Sequence, residues 1–231
     1  MAIVINGSGT VTGISVGGLP DGIVDAGTLA TNSVDSAELI DGAVDDSHIA
    51  ALAASKLTGA LPAISGASLT GLTSAQMPTG SVLQVVQDFY SGASAGTSSS
   101  FANMMSKTIT PSSTSSKILI MFSASITSYN TTSQLRLQRD STVIGVGGAS
   151  GSRVQSTVGM LHPTSDTNHQ SNPTCAQYLD SPNTTSEITY RIQYKVQSGH
   201  TMYLNRSGSD ANNSDWSHRS ASTLTLLEIA G

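Results

Sequence analysis

The residues best suited to chemistry lie close to the C-terminal end of the chain. The run Gly208-Ser-Asp210-Ala-Asn212-Asn213-Ser-Asp215-Trp216 sets an aromatic ring beside carboxylates and amides, with Tyr203 a few positions upstream. Stacking on an aromatic face, combined with hydrogen bonds from Asp and Asn, is a way for a protein to grip a sugar. The same residue types also make a polar turn around a buried core tryptophan, and both readings stand at this point. The acids resemble a calcium loop in part, but the sixth-position glycine and the distal glutamate are missing, so no calcium site is assigned.

Other reactive side chains are scattered. His48, His162, His169, His200 and His218 show neither HxH nor HExxH spacing. A threefold axis could gather three copies of His162 or His169 around a metal, but a surface or turn histidine is the plainer reading, and no metal ligand is assigned. Glycoside hydrolysis needs two carboxylates across a groove. The acids Asp88, Asp140, Asp166, Asp180, Glu187, Asp210, Asp215 and Glu228 form no tight pair in sequence. Gly199-His200 and the Ser-rich turns carry no triad order. Cys175 is the single cysteine, which excludes an internal disulfide and a CxxC motif and suggests a buried structural thiol. The chain is therefore read as a non-enzyme without catalytic residues or cofactor.

The segments that must position the Trp216 loop read as strands. Ile188, Tyr190, Ile192, Tyr194 and Val196 alternate with Thr189, Arg191, Gln193 and Lys195, the period of a half-buried strand. Gln134 to Arg139 alternates likewise, with Leu135 and Leu137 inward. Ser81 to Tyr90, Met104 to Thr110 and Ser222 to Ile229 are further strands. Lys117 to Phe122 is apolar on both faces and predicts a central strand covered on both sides. Ser198-Gly199 turns the chain into Met202 to Leu204. Strands at this spacing, with Gly, Ser and Asn between them, predict an all-β sandwich of jelly-roll type over residues 80–231.

The first part of the chain has different physics. Net charge is −5 overall, yet residues 1–55 hold seven acids and no Lys or Arg, and every aromatic residue lies from Phe89 onward. No basic footprint for nucleic acid is visible, no apolar run reaches the roughly 20 residues of a membrane span, and no secretory signal is evident. Val-Asp recurs at Val24, Val34 and Val44, and a branched apolar residue follows each Val at Leu29, Leu39 and Ile49. A ten-residue unit loses roughly 10–20 kcal/mol of backbone entropy on ordering. Burying its few Val and Leu side chains returns only roughly 1.5–3 kcal/mol each. Such a unit holds only if copies from other chains cover it; the alternative is a flexible acidic linker. Residues 21–79 are read as an intertwined repeat shaft. Residues 1–20, with Ile3, Val4, Ile5 and Val11 spaced among glycines, are read as an extended arm that needs a surface to lie on, or as a frayed terminus.

Three stretches resemble fibre-like structural proteins of tailed bacteriophages, in particular those infecting cyanobacteria and other marine bacteria. They are the opening Met-Ala-Ile-Val-Ile-Asn-Gly-Ser-Gly-Thr-Val-Thr-Gly-Ile, the repeat Asn32 to Gly42 followed by Leu57 to Gly66, and the terminal Ala221 to Ala230 behind its polar loop. The resemblance implies a homotrimer made in the host cytoplasm and built into the virion. Its N-terminal arm would dock on other virion proteins through Ile3, Val4, Ile5 and Val11. Its C-terminal domain would face outward as a short tail fibre for host adsorption, with Tyr203, Asp210, Asn212, Asn213, Asp215 and Trp216 touching a host surface glycan. A capsid head fibre or a decoration protein without receptor binding is the alternative. Nucleic-acid binding and membrane insertion are not expected.

Overall fold

The computed structural model describes residues 73–128, 131–162 and 171–231, within the compact unit Ser68–Gly231. The expected docking arm (Ile3, Val4, Ile5, Val11) and the expected shaft positions (Val24, Leu29, Val34, Leu39, Val44, Ile49) lie outside the described residues, as does His169.

The described chain is mostly β. The strands are β1 (Val82–Tyr90), β2 (Ser94–Gly96), β3 (Ala102–Ile109), β4 (Lys117–Ser128), β5 (Thr131–Arg139), β6 (Thr142–Ile144), β7 (Val158–His162), β8 (Asn172–Asp180), β9 (Ile188–Val196), β10 (Met202–Leu204) and β11 (Ser222–Ile229). They pair antiparallel in two sheets. In the first, β4 is central, with β8 along one side; β11 and β10 share its other side and are flanked by β1 and β2. In the second the order is β3-β9-β5, and β6 and β7 share the far side of β5.

Period-two alternation decides what is inside. Ile118, Ile120, Phe122 and Ile126 of β4, with Leu224 and Leu226 of β11, are buried in one core with Leu135, Leu137, Ile188, Tyr190, Ile192 and Val196 of the second sheet. Tyr194 points toward the same interior but is only half-buried, its ring lying directly on the backbone of Gly96 where any side chain would collide. Two expectations are corrected. β4 is central in its sheet, but over Lys117 to Phe122 it is covered on one face only, because no layer lies over its outward residues there and Met121 is 42% exposed. Cys175 is exposed rather than buried, because it falls on the outward register of β8, opposite Ser123.

The junction expected between residues 79 and 80 falls in a tight turn, Met77-Pro78-Thr79-Gly80. Ser81 N–H donates to Pro78 O at 3.0 Å, and Gly80 takes φ +90° at the third position, where a side chain is disfavoured. Gly80 N–H donates to Ala230 O and Ala230 N–H to Ser81 O, both at 2.8 Å, so the entry to β1 is tied to the end of β11.

Beside this junction sits a buried acid. Glu228 Oε1 accepts from Ser112 N–H, Ser112 Oγ and Ser116 Oγ, each at 2.6 Å, and Oε2 accepts from Gln84 Nε2 at 2.6 Å. Burial pushes this carboxyl up, but the donors from Ser112, Ser116 and Gln84 together outweigh it and hold it below the ordinary glutamate value. A depressed pKa contributes stability that is present above the unfolded value and lost as pH falls through the folded one. Melting between pH 6 and pH 3 should therefore show a falling midpoint below about pH 4.5. Glu228→Gln should cost about 2–3 kcal/mol at pH 6 and lose less on acidification. Parallel pH profiles for the two proteins would count against the assignment.

Candidate functional site

The site is an excursion from a single strand. Leu204 stands opposite Ile126 and Thr223 opposite Ser123, so Asn205 and Ser222 fill the two positions between. The residues from Arg206 to Ala221 leave the sheet and return without breaking its register. Asn205 makes this possible. It is fully buried at φ +61°, a left-handed conformation that Asn tolerates better than most side chains. Its N–H donates to Ser125 O at 2.9 Å and its C=O accepts from Ser220 N–H at 3.1 Å. Its amide nitrogen donates to Tyr90 O at 2.7 Å and Gly92 O at 3.0 Å, while Oδ1 accepts from Ser222 Oγ at 2.5 Å. Every hydrogen-bonding position of the residue but one acceptor lone pair on each oxygen is used, and one side chain joins the β1–β2 corner to both ends of the loop.

Above this pinch the loop is stapled again. Arg206 and Arg219 face each other in an antiparallel bridge, and Ser207 Oγ meets Ser217 Oγ at 2.8 Å. Asp210 lies between the two arginines, 3.1 Å from Arg206 Nη1 and 2.5 Å from Arg219 Nη2. The Arg206 guanidinium stacks 4.3 Å from the centroid of Tyr203. The loop rests on the outward face of β4. Thr127 Oγ1 donates to Arg206 O at 2.9 Å, Ser171 Oγ lies 2.8 Å from Thr127 Oγ1, and His218 Nε2 lies 2.5 Å from Ser171 Oγ. The Arg206 carbonyl can only accept, so Thr127 donates to it, Ser171 donates to Thr127, and His218 supplies the remaining proton from Nε2. That order is the reverse of a nucleophile and base pair, in which the histidine accepts from the serine.

The tip holds a shallow groove of about 320 Å³, lined by Asp210, Asn212, Asn213, Ser217, His218 and Arg219 among others. Asn213 Oδ1 caps the turn by accepting Asp215 N–H at 2.8 Å, and Asn213 O accepts Ser217 N–H at 3.2 Å. Asn212 and Asp215 are exposed, and Trp216 is 40% exposed rather than a core residue. Of the six residues singled out in the sequence, the groove brings together Asp210, Asn212 and Asn213. Asp215 and Trp216 sit outside its lining on the same loop, and Tyr203 is committed to the base. Among the described residues no three of His, Cys, Asp and Glu approach one another as a metal site would require.

No family model and no curated protein matches the chain.

Sequence reasoning missed Asn205, Arg206, Ser171 and Arg219, and named His218 only as a surface or turn histidine. Only the two arginines carried a signal, since Asp210 falls four positions after Arg206 and long basic side chains near an acid in a turn invite ion pairs.

Proposed function

We propose that this chain is a trimeric virion fibre protein, fixed to the particle by its N-terminal arm, whose C-terminal domain is a jelly-roll knob presenting the Arg206 to Ala221 loop for host adsorption. The strand order supports the jelly-roll reading: β1-β11-β4-β8 faces β3-β9-β5-β7, and the chain crosses between the sheets from β2 to β3, β3 to β4, β4 to β5, β7 to β8, β8 to β9 and β9 to β10, as two nested Greek keys do. The repeat-bearing first third of the sequence supports a multi-chain shaft. The observation that carries the adsorption role is the loop itself. A long excursion that leaves a strand in register and is anchored by buried Asn205 puts Asn212, Asp215 and Trp216 at the surface on a rigid base. Binding groups on loops held by a rigid scaffold are the usual arrangement for recognition.

The test is adsorption by particles or purified trimers carrying Trp216→Ala. Loss of the exposed ring should weaken binding to host cells or to their surface glycans at least about tenfold, because aromatic contacts dominate such sites. Unchanged binding by a variant that is still trimeric would remove the loop from the receptor site.

A second reading, a decoration or connector protein without receptor contact, is favoured by one observation. Many of the loop's polar groups are satisfied internally, with Asp210 held by two arginines and His218 by Ser171. On that reading Trp216→Ala leaves adsorption intact and particle stability falls when the domain is deleted.

A further inference from the structure

The two outward faces of the domain differ in a way that assigns them different neighbours. On the second sheet the outward residues include Arg136, Arg191 and Lys195, and no described carboxylate pairs with any of them. Two copies meeting by that face would bring like charges together.

The outward face of the first sheet carries no charge over three successive rows. In register across β1, β11, β4 and β8, one row reads Val85, Leu227, Leu119 and Leu179. Val85 is 56% exposed and Leu179 48%; in the rows above, Met121 is 42% and Phe89 66%. Four strands about 4.8 Å apart and three outward rows about 6.8 Å apart make a patch of roughly 400 Å². A stable interface between free partners needs about 800 Å² on each side. The patch is therefore too small to recruit a separate protein with comparable strength, but it suits copies already held at high local concentration by a common shaft.

Its relief points the same way. Phe89 projects from β1 at one side of the face, and a depression of about 540 Å³ opens toward β8 at the other, floored by the small residues Ser123, Cys175 and Thr223. A projection on one side and a hollow on the other form a head-to-tail contact, which closes into a ring when the rotation allows.

We infer that this face is where the knobs of sibling chains pack on one another, the Phe89 ring of one copy seating over the Cys175 hollow of the next. The inference rests on the trimeric reading given above and adds the surface that the trimer uses. It is uncharged, so nothing ionic is stranded when it is covered.

Cys175 is the only cysteine and reports directly on the hollow. The full-length wild-type protein, Phe89→Ser and Leu179→Ser should each be sized by light scattering and their Cys175 modified with a maleimide. Both substituted residues are exposed, so neither change disturbs the core. All three proteins should be trimers, with Cys175 modified at least about tenfold more slowly in the wild type than in either variant. Trimers with equal rates in all three proteins, whether fast or slow, overturn the inference and leave the trimeric reading standing. A wild-type protein that sediments as a solitary folded subunit overturns the trimeric reading and the inference with it.

Discussion

Asn205→Asp will lower the stability of the domain by about 3–5 kcal/mol, which for a domain of this size is roughly 6–20 °C in the melting midpoint. The change is nearly isosteric, and aspartate also tolerates the left-handed conformation that Asn205 adopts. It therefore leaves backbone strain and volume alone and removes one thing, the two N–H donors that serve Tyr90 O and Gly92 O. A carboxylate there would face two carbonyl oxygens with no water around it. Its escape is to take up a proton, which restores one of the two bonds at most. Asn205→Gly is the complementary control: it keeps the left-handed conformation, loses every side-chain bond but strands no charge, and should cost less than the aspartate. Urea or thermal unfolding measures both. An aspartate variant that melts with the wild type would mean that the pinch at the root of the loop is not what holds it.

The sequence disclosed this loop unevenly. The tip was visible because Trp216, Asp210, Asn212 and Asn213 are chemically conspicuous types crowded into one run. The root was not, because Asn205 follows the short strand Met202 to Leu204 and looks like an ordinary strand end. Its role depends on Ser125, Tyr90 and Ser222, which lie 80, 115 and 17 positions away in sequence. Nor could the sequence say that β10 and β11 are one strand interrupted, since pairing register is a property of β4.

The strands divide the same way. β9 and β11 were legible because one face of each is buried against the opposite sheet, which forces strict alternation. β8 was not legible. It is an edge strand whose inward residues include small Thr174 and Ala176, whose outward residues are exposed, and which begins beside Pro173. An edge strand buries too little to impose a pattern, and proline is tolerated where one side of the ladder is free. β4 misled for a related reason. Its outward Leu119 and Met121 look like core, and they are apolar without a covering layer within the domain.

The second large effect is expected at Asp180, the last residue of β8. It is buried at 5% exposure where the first sheet meets the second, and its oxygens lie 3.0 and 2.8 Å from Arg139 Nη1 of β5. The Tyr190 hydroxyl of β9 donates to Asp180 Oδ2 at 2.6 Å. Burial raises the Tyr190 hydroxyl well above the ordinary tyrosine value, and the hydrogen bond and charge of Asp180 raise it further, so the phenol remains a donor throughout the neutral range. Asp180→Ala leaves a guanidinium and a buried hydroxyl without their shared acceptor and should cost about 3–5 kcal/mol, the usual penalty for breaking such a pair from one side. Tyr190→Phe removes only the donor and should cost about 1.5–3 kcal/mol. Because both act on one oxygen, the double variant should be less destabilised than the sum of the two, by at least about 0.5 kcal/mol. A raised pKa contributes stability that is present below the unfolded value and lost as pH rises, so the wild type should weaken in alkali above about pH 10 and Tyr190→Phe should weaken less. Additive losses, or matching alkaline profiles, would show that the three groups are neighbours rather than a clamp between the sheets.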